Sequence, residues 1–254
     1  MQILDRTGET LFNNYGSEME LKEYRNNRNV DVFFPEYNWT ATNVQYKQFE
    51  QGTLKCPYER RMRSVGYMGE GSYRTRGEDG RLTKAYVAWK GMMERCYSEE
   101  YLAQHPTYRG CTVCEEWQNF QTFSEWHEEN YYEIEGQTMN LDKDILVRGN
   151  KEYGPDTCVY VPQEINLIFT KSNATRGEYP VGVHYDTRKR KYVAQCNTYK
   201  KRKHIGYYNS VQDAFLAYKD FKEAYIKRVA NDYMLDIPYS LYEAMMDYTV
   251  EIGD

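Results

Sequence analysis

The chain has 254 residues, 41% of them hydrophobic, and a formal net charge of −5; this allows one large domain or two to three small ones with real cores, and excludes a wholly disordered chain or one that coats nucleic acid indiscriminately. No leading apolar signal region and no membrane-length apolar run stands in the sequence, so a cytoplasmic protein, in a host cell's cytoplasm, with no membrane partner is expected. Six cysteines, at 56, 96, 111, 114, 158 and 196, are too few for a disulfide scaffold and read as reduced thiols or metal ligands.

Residues 1–64 read as a small β-rich accessory module of SH3-like, barrel-like type. Thr10, Leu11 and Phe12, then Met19, Glu20 and Leu21, are short strand candidates. Residues 30–34 alternate before an apolar pair, and Pro35 stops them. Residues 46–49, before Gly52, resemble the last strand and turn of such a barrel. Glycines at 66, 69, 71, 77 and 80 punctuate the next stretch, with Glu78, Asp79 and Gly80 as a hairpin-like turn. Thr83 can cap a helix carrying Ala85, Trp89, Met92 and Cys96 on one face, and a second helix holds Trp117, Phe120, Phe123 and His127. Both stripes are the pattern of a core, and His127 that of a packing residue more than a base.

Residues 140–166 give an extended segment, a turn-rich loop around Gly149, Asn150, Gly154 and Pro155, a second extended segment at Val159, Tyr160 and Val161, and a helix over 163–170. Beyond Pro180, residues 181–185, 191–197 and 202–207 read as three strands; Asn209 and Ser210 then open a helix with Asp213 at the capping-box position. Residues 231–254 read as an acidic tail helix. The fold class expected is α+β: the barrel-like module (1–64), a central ββα-metal unit with helices (65–172), a three-stranded antiparallel sheet on one helix (173–230), and the tail.

Charge is unevenly spread. Residues 171–208 hold ten Lys or Arg against Glu178 and Asp186, a net +8 that leaves −13 for the rest. The cations flank a strand pair: Arg188, Lys189, Arg190 and Lys191 on one side, Lys200, Lys201, Arg202 and Lys203 on the other, with Tyr192, Gln195 and Asn197 between. Alternation sets Tyr192, Ala194 and Cys196 on one face and Val193, Gln195 and Asn197 on the other. Basic turns suit phosphates and the polar face suits base edges, so double-stranded DNA is the expected partner. The 27 tyrosines fit either small amphipathic cores or stacking on nucleic acid.

Two resemblances sharpen this. Tyr86, Trp89, Met92, Arg95, Cys96 and Tyr97, then Tyr108, Gly110, Cys111, Val113, Cys114, Trp117, Phe120 and Phe123, followed by residues 141–145 and 157–160, resemble the frame of a phage-associated family of HNH-type homing endonucleases. Gly182-Val183, Tyr192-Val193-Ala194, residues 205–208, Ala214-Phe215 and Ala217-Tyr218 resemble the plant ethylene-response-factor-type DNA-binding domain, which lays a three-stranded sheet in the major groove and is commonly carried by such endonucleases.

The first resemblance implies a sequence-selective, metal-dependent endonuclease, with Mg²⁺ or Mn²⁺ held by Asp142 on the first strand and by Asn166 on the helix. Lys143 stands where that family has its general-base His, and Tyr153 where it has a structural Asn. A lysine with an ordinary pKa near ~10.4 is a poor base unless strongly desolvated. Asp144, two residues along the strand from Asp142, would share its face and could join it on one hard cation; capping of a loop is the plain alternative for both. At the level of function, the alternative is an inactive relative: a DNA-binding regulator, or a phage inhibitor of a host defence acting by contact with a host protein. Cys111 and Cys114 have zinc-knuckle spacing that Cys96 and Cys158 could complete, but buried core thiols are favoured over zinc.

Overall fold

The computed structural model describes residues 5–170, 178–199 and 201–252, which form two compact units, 1–126 and 127–254. The architecture is α+β, with one four-stranded and one three-stranded antiparallel sheet.

In the first unit, β1 (Thr10–Phe12), β2 (Glu18–Asn26), β3 (Asn29–Phe34) and β4 (Trp39–Val44) form a meander in sequence order. β1 and β4 are its two edges, so the barrel expected here is not closed among the described residues. Residues 46–49 are no strand either: α1 (Tyr46–Glu50) begins at a capping box, with the Gln45 N–H donating to Gln48 Oε1 at 3.1 Å. Its Tyr46 and Phe49, one turn apart, close the core made by Met19, Leu21, Val30, Val32 and Phe34. The expected Thr83 cap is observed, accepting from the Tyr86 N–H at the start of α2 (Lys84–Tyr97). α3 (Glu99–Gln104) and the two-residue β5 (Thr112–Val113) follow. The second aromatic helix is two pieces, α4 (Glu115–Gln118) and α5 (Phe120–Asn130), broken at Asn119. Trp89, Met92, Met93, Trp117, Phe120 and Phe123 are fully or almost fully buried, and the Trp89 indole N–H donates to the Trp117 carbonyl at 2.7 Å. Gly66 lies so close that a Cβ would sit 2.7 Å from the Trp89 ring.

The second unit opens with β6 (Met139–Asp142), the two-residue β7 (Glu152–Tyr153), β8 (Val159–Pro162) and α6 (Gln163–Phe169). β6 and β8 pair antiparallel, from Met139 opposite Pro162 to Asp142 opposite Val159. Next come β9 (Val183–Asp186), β10 (Lys191–Asn197) and β11 (Arg202–Tyr208), with β10 central, and α7 (Val211–Asp232), whose cap Ser210 accepts from the Asp213 N–H at 3.1 Å and donates to its carboxylate at 2.7 Å. α8 (Tyr239–Met246) closes the order.

α7 serves two cores. Its N-terminal half gives Ala214, Phe215 and Tyr218 to the sheet side, against Val183, Ala194 and Cys196. Its C-terminal half gives Tyr225, Ile226, Val229 and Ala230 to a core with Val159, Val161, Ile165 and Ile168 of the strand-strand-helix unit. Leu241 and Met245 of α8 are fully buried in that second core, so the expected tail is a core element. Shared packing thus crosses the boundaries read at 172/173 and 230/231.

Candidate nucleic-acid interface

The three-stranded sheet has one side on α7; among the described residues the other side is exposed at His184, Asn197, Arg202, His204 and Tyr207, with Gln195 half-buried and Val193 buried at 4% exposure. On β10, Ala194 and Cys196 face the helix, with half-buried Tyr192 beside them and its ring against Tyr179. Tyr192, counted from sequence among the DNA contacts, thus lies on the helix side of the sheet with Ala194. Cross-strand pairs define the open side: Val193 with His184 and Tyr207, Gln195 with His204, and Asn197 with Arg202. A bulge between Ala194 and Gln195 lets β11 fit an extra residue, and Ile205 turns into the core while His204 stays exposed.

Two turns border this face. In the first, Asp186 folds back so that its Oδ1 accepts the Arg188 and Lys189 N–H groups at 2.9 and 3.1 Å. Those backbone bonds, with the two nearby cations, hold its carboxyl below the usual range. Arg190 completes the turn at φ 53°. Arg188, Lys189 and Arg190 are exposed, and Lys189 Nζ stands 3.8 Å from the Tyr207 ring centroid. Lys191 points its ammonium to Asn209 Oδ1 at 2.6 Å. In the second turn, Thr198 donates to the Lys201 carbonyl through both N–H and hydroxyl, at 2.8 and 2.7 Å. Lys201, Arg202 and Lys203 are exposed, and Arg202 Nε donates to Asn197 Oδ1 at 3.2 Å. Lys200 lies outside the described residues. Asp186 as turn organiser and Tyr207 as a platform for Lys189 were not read from the sequence; an acid two residues before a basic run is the signal for the first.

The strand-strand-helix unit places its chemistry differently from the expectation. β6 ends at Asp142, whose Oδ1 accepts the N–H groups of Asp144 (2.9 Å) and Ile145 (2.8 Å). This carboxylate caps the loop, and Asp144 leaves the strand instead of sharing its face. Lys143 is buried at 7% exposure, with Nζ 3.1 Å from Asp144 Oδ2 and 3.0 Å from the Asn150 carbonyl. Asn150 ties the loop by donating to the carbonyls of Lys143 (2.7 Å) and Glu152 (2.6 Å). Burial and the neighbouring Asp144 charge hold the Asp142 carboxyl above the ordinary range. Asn166 stands half-buried on α6, its carbonyl accepting from Thr170 at 3.1 Å. One Asp142 oxygen accepts two amides and one Asp144 oxygen accepts the Lys143 ammonium, so a divalent cation placed here would share these carboxylates with Lys143.

Among the described residues no group of three or more His, Cys, Asp or Glu is placed to hold a metal. Cys96, Cys111 and Cys158 are buried and Cys114 half-buried, and none of the four is in a disulfide. His127 is buried, its Nδ1 2.6 Å from the Tyr160 hydroxyl and its ring stacked on Tyr131 at 4.7 Å. No described helix is long and apolar enough to cross a membrane. No family model, no curated protein and no solved structure matches this chain.

Proposed function

We propose that the protein binds double-stranded DNA through the open face of the β9–β10–β11 sheet. Arg188, Lys189, Arg190, Lys201 and Lys203 contact phosphates; Gln195, Asn197 and Arg202 face base edges. The observation that carries this is the pairing of an exposed polar sheet face with two cationic turns, the one acid of the first turn being folded back onto backbone amides. In this reading the strand-strand-helix unit is a scaffold that fixes α7, and through α7 the sheet. Lys143 supplies the positive charge its loop needs, and the protein acts as a DNA-binding regulator.

Metal-dependent cleavage is the second reading. In its favour stand the resemblance to HNH endonucleases and the raised Asp142 carboxyl beside Asp144, a carboxylate pair that a cation would relieve. The two readings separate in one experiment. Plasmid and duplex DNA are incubated with the full chain in Mg²⁺, Mn²⁺ or EDTA, scoring mobility shift and nicking together. The scaffold reading expects a shift in all three and no nicking in any. Nicking abolished by EDTA and by Asp142→Ala would establish cleavage, and no shift in any condition would sink both.

A further inference from the structure

The DNA reading leaves the first unit unused, yet residues 55–63 gather cations there. Lys55, Arg60, Arg61 and Arg63 are all exposed, and the one acid among them, Glu59, is buried at 3% exposure. A tight turn carrying Arg63 follows directly. Met62 and Gly66 exchange N–H···O bonds of 2.9 Å in both directions, and the Val65 N–H closes a tight turn on the Met62 carbonyl at 3.1 Å. The two central residues, Arg63 and Ser64, have φ of 54° and 59°. Hairpins normally give those positions to Asn-Gly; with side chains the left-handed backbone costs about 1 kcal/mol each. Such strain persists where a fixed shape is needed.

The cations are oriented by their surroundings. Arg60 donates to the Val65 carbonyl at 3.0 Å and lies 5.6 Å from the Tyr67 ring centroid. Arg61, whose Nε also pairs with the Glu59 carboxylate at 3.4 Å, and Lys55 lie by one ring, that of Tyr15, at 4.9 and 5.5 Å, and Tyr15 is 49% exposed. Arg63 pairs with Glu94 at 2.9 Å and contributes least. Guanidinium forks held in place suit phosphate oxygens, and a ring beside cations suits a sugar or base edge. We propose that this turn, with Tyr15, is a second DNA-contacting surface taking backbone phosphates. It rests on the DNA reading above, but not on the sheet being the surface that binds.

The test titrates fluorescent duplex DNA with the full chain over a salt series, in four forms. These are the wild type; a sheet variant (Lys201→Gln, Arg202→Gln, Lys203→Gln); a turn variant (Lys55→Gln, Arg60→Gln, Arg61→Gln); and both together. A control removes the same charge elsewhere on the first unit (Arg28→Gln, Lys47→Gln, Lys90→Gln), and melting temperatures verify folding. The expected result is that the turn variant, unlike the control, either lowers the salt slope of wild-type binding by about 2.7, at 0.9 per lost contact, or abolishes residual binding of the sheet variant. A turn variant equal to the control in both backgrounds overturns this inference alone. Wild-type protein that binds no DNA overturns it together with the DNA reading. A sheet variant that binds like the wild type while the turn variant fails supports the second surface and removes the first. Turn-dependent binding of polyglutamate tighter than that of DNA would assign the turn to acidic protein and overturn the inference.

Discussion

A buried ammonium must have its charge met, and Lys143 meets Asp144 and the Asn150 carbonyl inside the loop it opens. Because Asp144 is half exposed, at 52%, the pair is partly screened. Lys143→Met is expected to cost about 1–2 kcal/mol rather than the larger penalty of a fully buried pair, read as a shifted denaturation midpoint with unchanged slope. Asp142 behaves oppositely. Its carboxyl is raised by burial and by Asp144, so the folded state binds that proton more tightly than the unfolded chain. The cost of ionising it is absent below the ordinary value near 3.8, grows as pH rises to the folded value, and is constant above that. Asp142→Asn keeps an acceptor for the two amides and removes the cost. The variant should melt at or above the wild type at pH 7, with the advantage shrinking toward pH 4; a deficit that grows with pH would contradict this. Tyr153 and Lys143, at the positions of a structural Asn and a base His in the HNH resemblance, already departed from that pattern in sequence; what they do instead needed the folded loop.

At the scale of elements, the basic sheet and its helix were legible because alternation and a Ser-x-x-Asp cap are local signals. α1 was not, since Tyr46 and Phe49 in a five-residue helix look like strand residues unless the Gln45 and Gln48 box is noticed. β4 was missed because Asn43, at φ 55°, breaks its alternation. The core role of the acidic tail was beyond reach, because Leu241 and Met245 are buried by α7 and by the strand-strand-helix unit, from distant sequence. Gly182 tests the sheet's seat on α7. It has φ 76°, and a Cβ would lie 2.1 Å from the Tyr218 ring, whereas Gly136, at φ 73°, has open space. Gly182→Ala should lower the melting temperature far more than Gly136→Ala, which should cost about 1 kcal/mol. Equal effects would mean that Tyr218 is not seated as described.

For the whole molecule, the shared helix makes the second unit one cooperative body. A fragment of residues 180–230 would expose Tyr225, Ile226, Val229 and Ala230, and is expected to melt without a cooperative transition; residues 127–254 should show one. Ile226→Ala, at a fully buried position, should cost about 2–5 kcal/mol. It should reduce hydrogen-exchange protection in β8 and β10 together; loss confined to one of them would separate the two cores. The central claim concerns the open sheet face, and the salt dependence of duplex binding by the full chain tests it most directly. The wild type is expected to weaken steeply with salt, and Arg188→Gln/Lys189→Gln/Arg190→Gln to lower the slope by about 2.7. Gln195→Ala/Asn197→Ala should leave the slope unchanged while flattening the preference among duplex sequences. Binding that is insensitive to salt, or that keeps its slope and preference in both variants, would contradict the account.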